Sequence, residues 1–187
     1  MKNTFYLDMD GVIADWDTGA ELFLGIPFRS AALATGYKLT KDEWNRLRNH
    51  GRIFRTLPIM AQADQLVALA RQYRDQLGWD LLFLTAIPHG NDVPWAFSDK
   101  VMWAQEHFPD IPVHFGPYAV DKQAHCQAGD ILVDDRQDNC ERWRAAGGTA
   151  FKVSDRTLAP TLDHVKQDLS KRLSLQSMAA LNASTKK

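Results

Sequence analysis

The stretch Phe5–Asp17, FYLDMDGVIADWD, runs from an apolar segment straight into two aspartates, Asp8 and Asp10, and then Gly11. Aspartate is depleted in strands, and two of them so close together repel. A strand that ends in such a pair calls for a compensating partner, either a cation or a phosphate. The segment before the pair, TFYL (4–7), is short and almost wholly apolar, and DLLFLT (80–85), IPVHF (111–115), DILV (130–133) and TAFKV (149–153) have the same character. Near-continuous apolar runs of this length suit strands covered on both faces. Between them apolar residues recur at helical spacing: Leu66, Leu69, Tyr73 and Leu77; Phe97, Val101, Ala104 and Phe108; Leu162, Val165, Leu169 and Leu173. Strands alternating with helices predict an α/β fold. Its sheet would be five-stranded, mostly parallel and Rossmann-like, with right-handed crossovers.

One segment breaks the alternation. Between Trp16 and Pro58 there is no strand pattern, and TKDEWNRLRNHG (40–51) reads as a helix with Thr40 as N-cap, Glu43 completing a capping box and Gly51 at its end. The stretch is too long for an ordinary βα connection. The reading is therefore a core of residues 1–15 and 59–176, a small helical cap over 16–58 inserted after the first strand, and a flexible tail over 177–187.

Of the 187 residues, 45% are apolar and 24% charged, with a formal net charge of −1. That balance suits one soluble domain and gives no electrostatic footprint for a nucleic-acid polymer or a membrane surface. The cysteines are only Cys126 and Cys140, at a spacing that is not a zinc pattern, so a reducing, cytoplasmic setting is expected. The N-terminus reaches acidic residues too soon for a secretory signal, and no apolar run approaches the ~18 residues of a bilayer span. A homodimer is compatible with this reading.

In an open α/β sheet, ligands bind beyond the carboxyl ends of the strands where strand order reverses. If the first strand is central, between DLLFLT and DILV, then Asp8, Asp10, Thr85, Asp134 and Asp135 converge there. Several carboxylates in one crevice need a cation, and an all-oxygen set favours Mg²⁺ over Ca²⁺. An EF-hand is excluded, because Gly11 stands fourth rather than sixth from Asp8. Asp8, Asp10, Asp134 and Asp135 are therefore the expected metal group.

These residues resemble the haloacid dehalogenase (HAD) superfamily of phosphohydrolases. DMDGV (8–12) resembles the first motif of that superfamily, LLFLTA (81–86) the second and ILVDDRQDN (131–139) the fourth, with Lys122 in GPYAVDKQAH placed for the intervening lysine. Lys100, within a helical pattern, ranks behind it. DMDGVIADWD (8–17), FRTLPIMAQADQLVALA (54–70) and SDKVMWAQEHF (98–108) resemble the 5'(3')-deoxyribonucleotidases more narrowly. Those enzymes often carry Ser after the second-motif Thr, where this chain has Ala86 with only its backbone N–H to offer.

The resemblance implies a HAD core and a covalent route. Asp8 would be the nucleophile, Asp10 the general acid and then base, Thr85 a hydroxyl donor to phosphate, and Lys122 a balancing charge. Gly11 and Ala86 would let the backbone approach the phosphate. Asp134 and Asp135 would hold Mg²⁺, one directly and one through water or Lys122, with Asp138 either in support or starting a helix. Trp16 is the expected base platform, with Phe28 a weaker one, since aromatic faces stack on bases for ~1–3 kcal/mol each. Arg136 would reach a base or sugar, or else form a surface ion pair. The substrate implied is a nucleoside monophosphate. Another small phosphate ester is the alternative, and a module merely phosphorylated on Asp8 a more distant one.

Overall fold

The computed structural model describes residues 2–27, 39–88, 93–154 and 157–184. Among the described residues, strand β1 (Thr4–Leu7) is followed by helices α1 (Trp16–Leu24), α2 (Lys41–His50) and α3 (Ile53–Thr56). Next come α4 (Ala63–Leu77), β2 (Asp80–Thr85), α5 (Ala96–His107), β3 (Val113–Phe115) and a 3-10 helix (Ala119–His125). β4 (Ile131–Asp134), α6 (Gln137–Ala145), β5 (Thr149–Lys152) and α7 (Ala159–Ser184) complete the order.

The strands form one parallel sheet in the order β3-β2-β1-β4-β5, so β1 is central, as the sequence reading requires. Leu7 pairs with Phe83 on one side and Val133 on the other. That register sets Asp8 level with Asp134. Alternation along β1 sends Phe5 and Leu7 into the larger core cluster and Tyr6 into a smaller one with Leu132, Cys140 and Trp143. On the larger side Tyr73 of α4 contacts the Phe5 ring at 4.7 Å and donates its hydroxyl to Val165 O and Asp168 Oδ2, which fastens α7.

The described residues between Trp16 and Pro58 hold helices and no strand. The chain leaves and returns side by side: Asp15 N–H donates to Pro58 O, and Met60 N–H to Ile13 O, each at 2.8 Å. Asp15 then N-caps α1 through Thr18. The Thr40–Glu43 capping box forms as expected. Phe28 lies outside the described residues.

One expectation about a helix is corrected in part. The buried face of α5 is Ala96, Asp99, Lys100, Trp103 and Ala104; of the expected stripe Ala104 and Phe108 are buried, whereas Phe97 is 41% exposed. Asp99 and Lys100 each meet a charged partner, Arg52 and Asp10. Beyond Ser177, where a frayed tail is expected, the helix α7 runs on to Ser184.

Candidate active site

Beyond the carboxyl ends of β1 and β4, carboxylate oxygens of Asp8, Asp134 and Asp135 lie within 4.8 Å of one another. Lys122, buried on the 3-10 helix, bridges two of them, with Nζ 2.7 Å from Asp8 Oδ1 and 2.7 Å from Asp134 Oδ2. Asp8 Oδ1 also accepts from Met9 N–H at 2.7 Å. Asp134 is further held by Arg136 N–H at 2.9 Å and by Asn139 Nδ2 at 3.1 Å from each oxygen. Asp135 is open to solvent, and its side chain takes no hydrogen bond from a described residue. Gly11, at φ 77°, turns the chain beneath it, and a Cβ there would stand 2.7 Å from Asp135 Oδ2.

Charge in this cluster is unbalanced. Burial, and then the charges of Asp134 and Asp10, push the Asp8 carboxyl up to about 7 against the opposing pull of Lys122. Asp135, although the residue is exposed at the cleft mouth, rises to about 8 because protein atoms crowd its carboxyl and Asp8 and Asp134 stand beside it. Burial alone would lower Lys122, yet Asp8 and Asp134 hold it above its ordinary value. Three carboxylates against one ammonium suit a hard cation with oxygen ligands, so the donor set fits Mg²⁺.

Asp10 lies apart from this trio. Its Oδ2 accepts from Lys100 Nζ, which also donates to Thr85 Oγ1 at 2.9 Å and lies 4.6 Å from the Phe54 ring centroid. Asp10 Oδ1 is buried and has no hydrogen-bond partner among the described residues. Both lysines are buried, on different aspartates: Lys122 on Asp8 and Asp134, and Lys100 on Asp10. A signal was present in the sequence, because Asp99 and Lys100 fall in phase with Ala96, Trp103 and Ala104 along one helix face.

A cleft of about 350 Å³ opens from these groups. Asp8, Asp10, Lys122 and Asp135 line it, together with Ala86, Ile87 and Pro88. Trp16, Trp44 and Phe54 line it as well. The Trp16 ring stacks on Trp44 at 5.8 Å and on Phe54 at 5.3 Å. Thr85 is fully buried and absent from the lining, and its hydroxyl accepts from Lys100 Nζ. Arg136 lines the cleft while its guanidinium engages Asp138, at 3.2 and 2.9 Å. Asp138 sits in the first turn of α6, paired with Arg136 and Arg142, away from the carboxylate trio. Asn139, which the sequence reading passed over, orients Asp134.

Residues 36–164 match the family described as "5' nucleotidase, deoxy (Pyrimidine), cytosolic type C protein". The chain belongs to this family. The expected kinship with the deoxyribonucleotidases holds, and the protein is an enzyme, a phosphatase of the 5'-nucleotidase kind. The matched stretch contains Thr85, Lys100, Lys122, Asp134 and Asp135, whereas Asp8 and Asp10 lie ahead of it. No curated protein matches the chain. Among solved structures, a hydrolase from Pseudomonas syringae is 12% identical with a TM-score of 0.47, covering 88% of this chain and 90% of its own. A HAD hydrolase of family IA, variant 3, from Entamoeba histolytica is 13% identical with a TM-score of 0.44, covering 87% and 89%. A HAD family enzyme from Bacteroides thetaiotaomicron, solved with magnesium and inorganic phosphate, is 13% identical with a TM-score of 0.37, covering 81% and 94%.

Proposed function

We propose that the enzyme hydrolyses nucleoside monophosphates in a Mg²⁺-dependent reaction through an aspartyl-phosphate on Asp8. The observation that carries this reading is the carboxylate trio, bridged by Lys122, in a cleft that an aromatic stack also lines. Phosphate would lie against the carboxylates and a base against Trp16.

In the first half-reaction an Asp8 oxygen attacks phosphorus and the bond from phosphorus to the ester oxygen breaks. Asp10, in its acid form, delivers its proton to that leaving oxygen, and the nucleoside departs. In the second, Asp10 takes a proton from water, the water oxygen attacks phosphorus, and the bond to Asp8 breaks, releasing inorganic phosphate. Lys100 fixes one Asp10 oxygen and Thr85 together, leaving Oδ1 without a partner among the described residues. Lys122 keeps Asp8 in place and spreads positive charge over the phosphoryl oxygens. The backbone at Ala86 would bring an N–H near the phosphate, while the Gly11 N–H is held by Ala14 O.

Asp8 and Asp135, with the Asp10 backbone carbonyl, would hold Mg²⁺. Asp134, saturated by Lys122, Arg136 and Asn139, would orient the group from behind. The ion, when bound, neutralises the excess carboxylate charge and polarises the phosphoryl group. Helices α1 to α3 act as the cap over the substrate, closing water out. The family's description makes deoxyribonucleoside 5'-monophosphates of pyrimidines the first compounds to try, and names a cytosolic protein, in keeping with two free cysteines.

The test is phosphate release from ribo- and deoxyribonucleoside monophosphates and from simple sugar phosphates, with Mg²⁺ or chelator. Asp8→Asn is expected to fold and to lose turnover. Wild-type rates in that variant, or no preference for nucleotides over sugar phosphates, would overturn the reading.

A further inference from the structure

Asp99 and Lys100 are consecutive, buried and oppositely charged, and they send their charges to different places. Lys100 turns toward Asp10 and Thr85. Asp99 offers both oxygens to Arg52, whose Nε lies 2.8 Å from Oδ1 and 2.9 Å from Oδ2 while Nη2 also meets Oδ1. Arg52 stands at the N-cap of α3, a single turn with no side-chain cap, and its guanidinium lies 5.9 Å from the Trp95 ring centroid. Two residues on, Phe54 covers the Lys100 ammonium and stacks on Trp16. One short segment thus grips α5 at its buried carboxylate and shields the ammonium next to it. The grip is asymmetric, because the Asp99 side chain is 0% exposed and that of Arg52 is 53% exposed. The arginine can swing out into water, whereas the carboxylate cannot. Neither residue lines the cleft.

We propose that Arg52 and Asp99 form a positioning latch for the acid–base carboxylate. The two-point guanidinium contact fixes the direction of α3. Phe54 is thereby held on Lys100, where an aromatic face attracts a cation more strongly once water is excluded. Lys100 in turn is held on Asp10. Closure of the segment that carries the aromatic stack and orientation of Asp10 become one event. This inference rests on the reading of Asp10 given above.

Arg52→Gln, at a half-exposed position, tests it in steady-state kinetics with Mg²⁺. Two esters are compared, p-nitrophenyl phosphate, which has no base to stack, and a nucleoside monophosphate. In assays run well below the melting temperature, which falls because the buried Asp99 carboxylate loses its partner, the expected result is a fall in kcat of about tenfold on both, with KM for the aryl ester preserved. Arg52→Lys, which keeps the charge without the fork, recovers part of the rate. Phe54→Leu lowers kcat similarly, and the double variant is no worse than the poorer single one, since both act through one contact. Unchanged kcat in Arg52→Gln overturns the latch, as do additive effects or a change confined to KM for the nucleotide. A wild-type enzyme inactive on both esters overturns the reading of the site and the latch with it, whereas an active wild type with an indifferent Arg52→Gln overturns the latch alone.

Discussion

Lys122 Nζ stands between Asp8 and Asp134, 2.7 Å from a carboxylate oxygen of each. Removing its ammonium strands two buried carboxylates, and breaking a buried pair from one side costs about 3–5 kcal/mol. Lys122→Ala should therefore lose that order of stability in chelator, by urea denaturation, and recover part of it with Mg²⁺. Its kcat should fall at least about a hundredfold.

Asp135 should behave in the opposite sense. Its folded-state carboxyl is raised to about 8, so its contribution to stability is full below the unfolded value near 4 and is lost as pH rises through 8. In chelator, wild-type melting temperature should fall between pH 5 and pH 8. Asp135→Asn should fall less and be at least as stable at pH 8. Addition of Mg²⁺ should raise the wild-type melting temperature and leave that of Asp135→Asn unmoved.

Gly11→Ala joins two penalties, a positive φ and a Cβ placed against Asp135. A cost of about 1–3 kcal/mol is expected for the strained backbone. Displacement of Asp135 should also weaken Mg²⁺ binding, read by calorimetry on the purified variant.

The α/β order was legible because its signals are local. The run TFYL and its four counterparts mark the strands, and Asp8, Asp134 and Thr85 follow once β1 is central. The place of Lys100 is hidden because a helix's buried face is fixed by its phase, and here two ionic partners distant in sequence, Asp10 for Lys100 and Arg52 for Asp99, help to set it. Asn139 was invisible for a similar reason: an amide three residues past an arginine gives no sign of closing on Asp134 until α6 turns it back. Nor can a sequence say whether Trp44 and Phe54 belong to a core or a cleft, and here they serve both, packing on Trp16 while lining the cavity.

Away from the site, Asp110 joins α4 to the turn before β3 through Arg71 and Arg74. Its hydrogen bonds from Arg71, and then from Arg74, hold its carboxyl well below the usual range. A depressed carboxyl contributes stability that is present above the unfolded value near 4 and is lost as pH falls toward the folded one. Asp110→Asn should cost no more than about 1 kcal/mol at pH 7, since the pair is partly solvated, and progressively less below pH 4. Paired denaturation curves at the two pH values check this.

The side-by-side hydrogen bonds joining Asp15 to Pro58 and Met60 to Ile13 have an evolutionary corollary. They pinch the excursion shut at its neck, so the sheet is blind to the number of residues between. Lengthening a closed loop costs little, only about 0.6 kcal/mol per doubling. Insertions within that excursion that spare Arg52 and Phe54 should therefore leave both the strand register and the hold on Asp10 as they are.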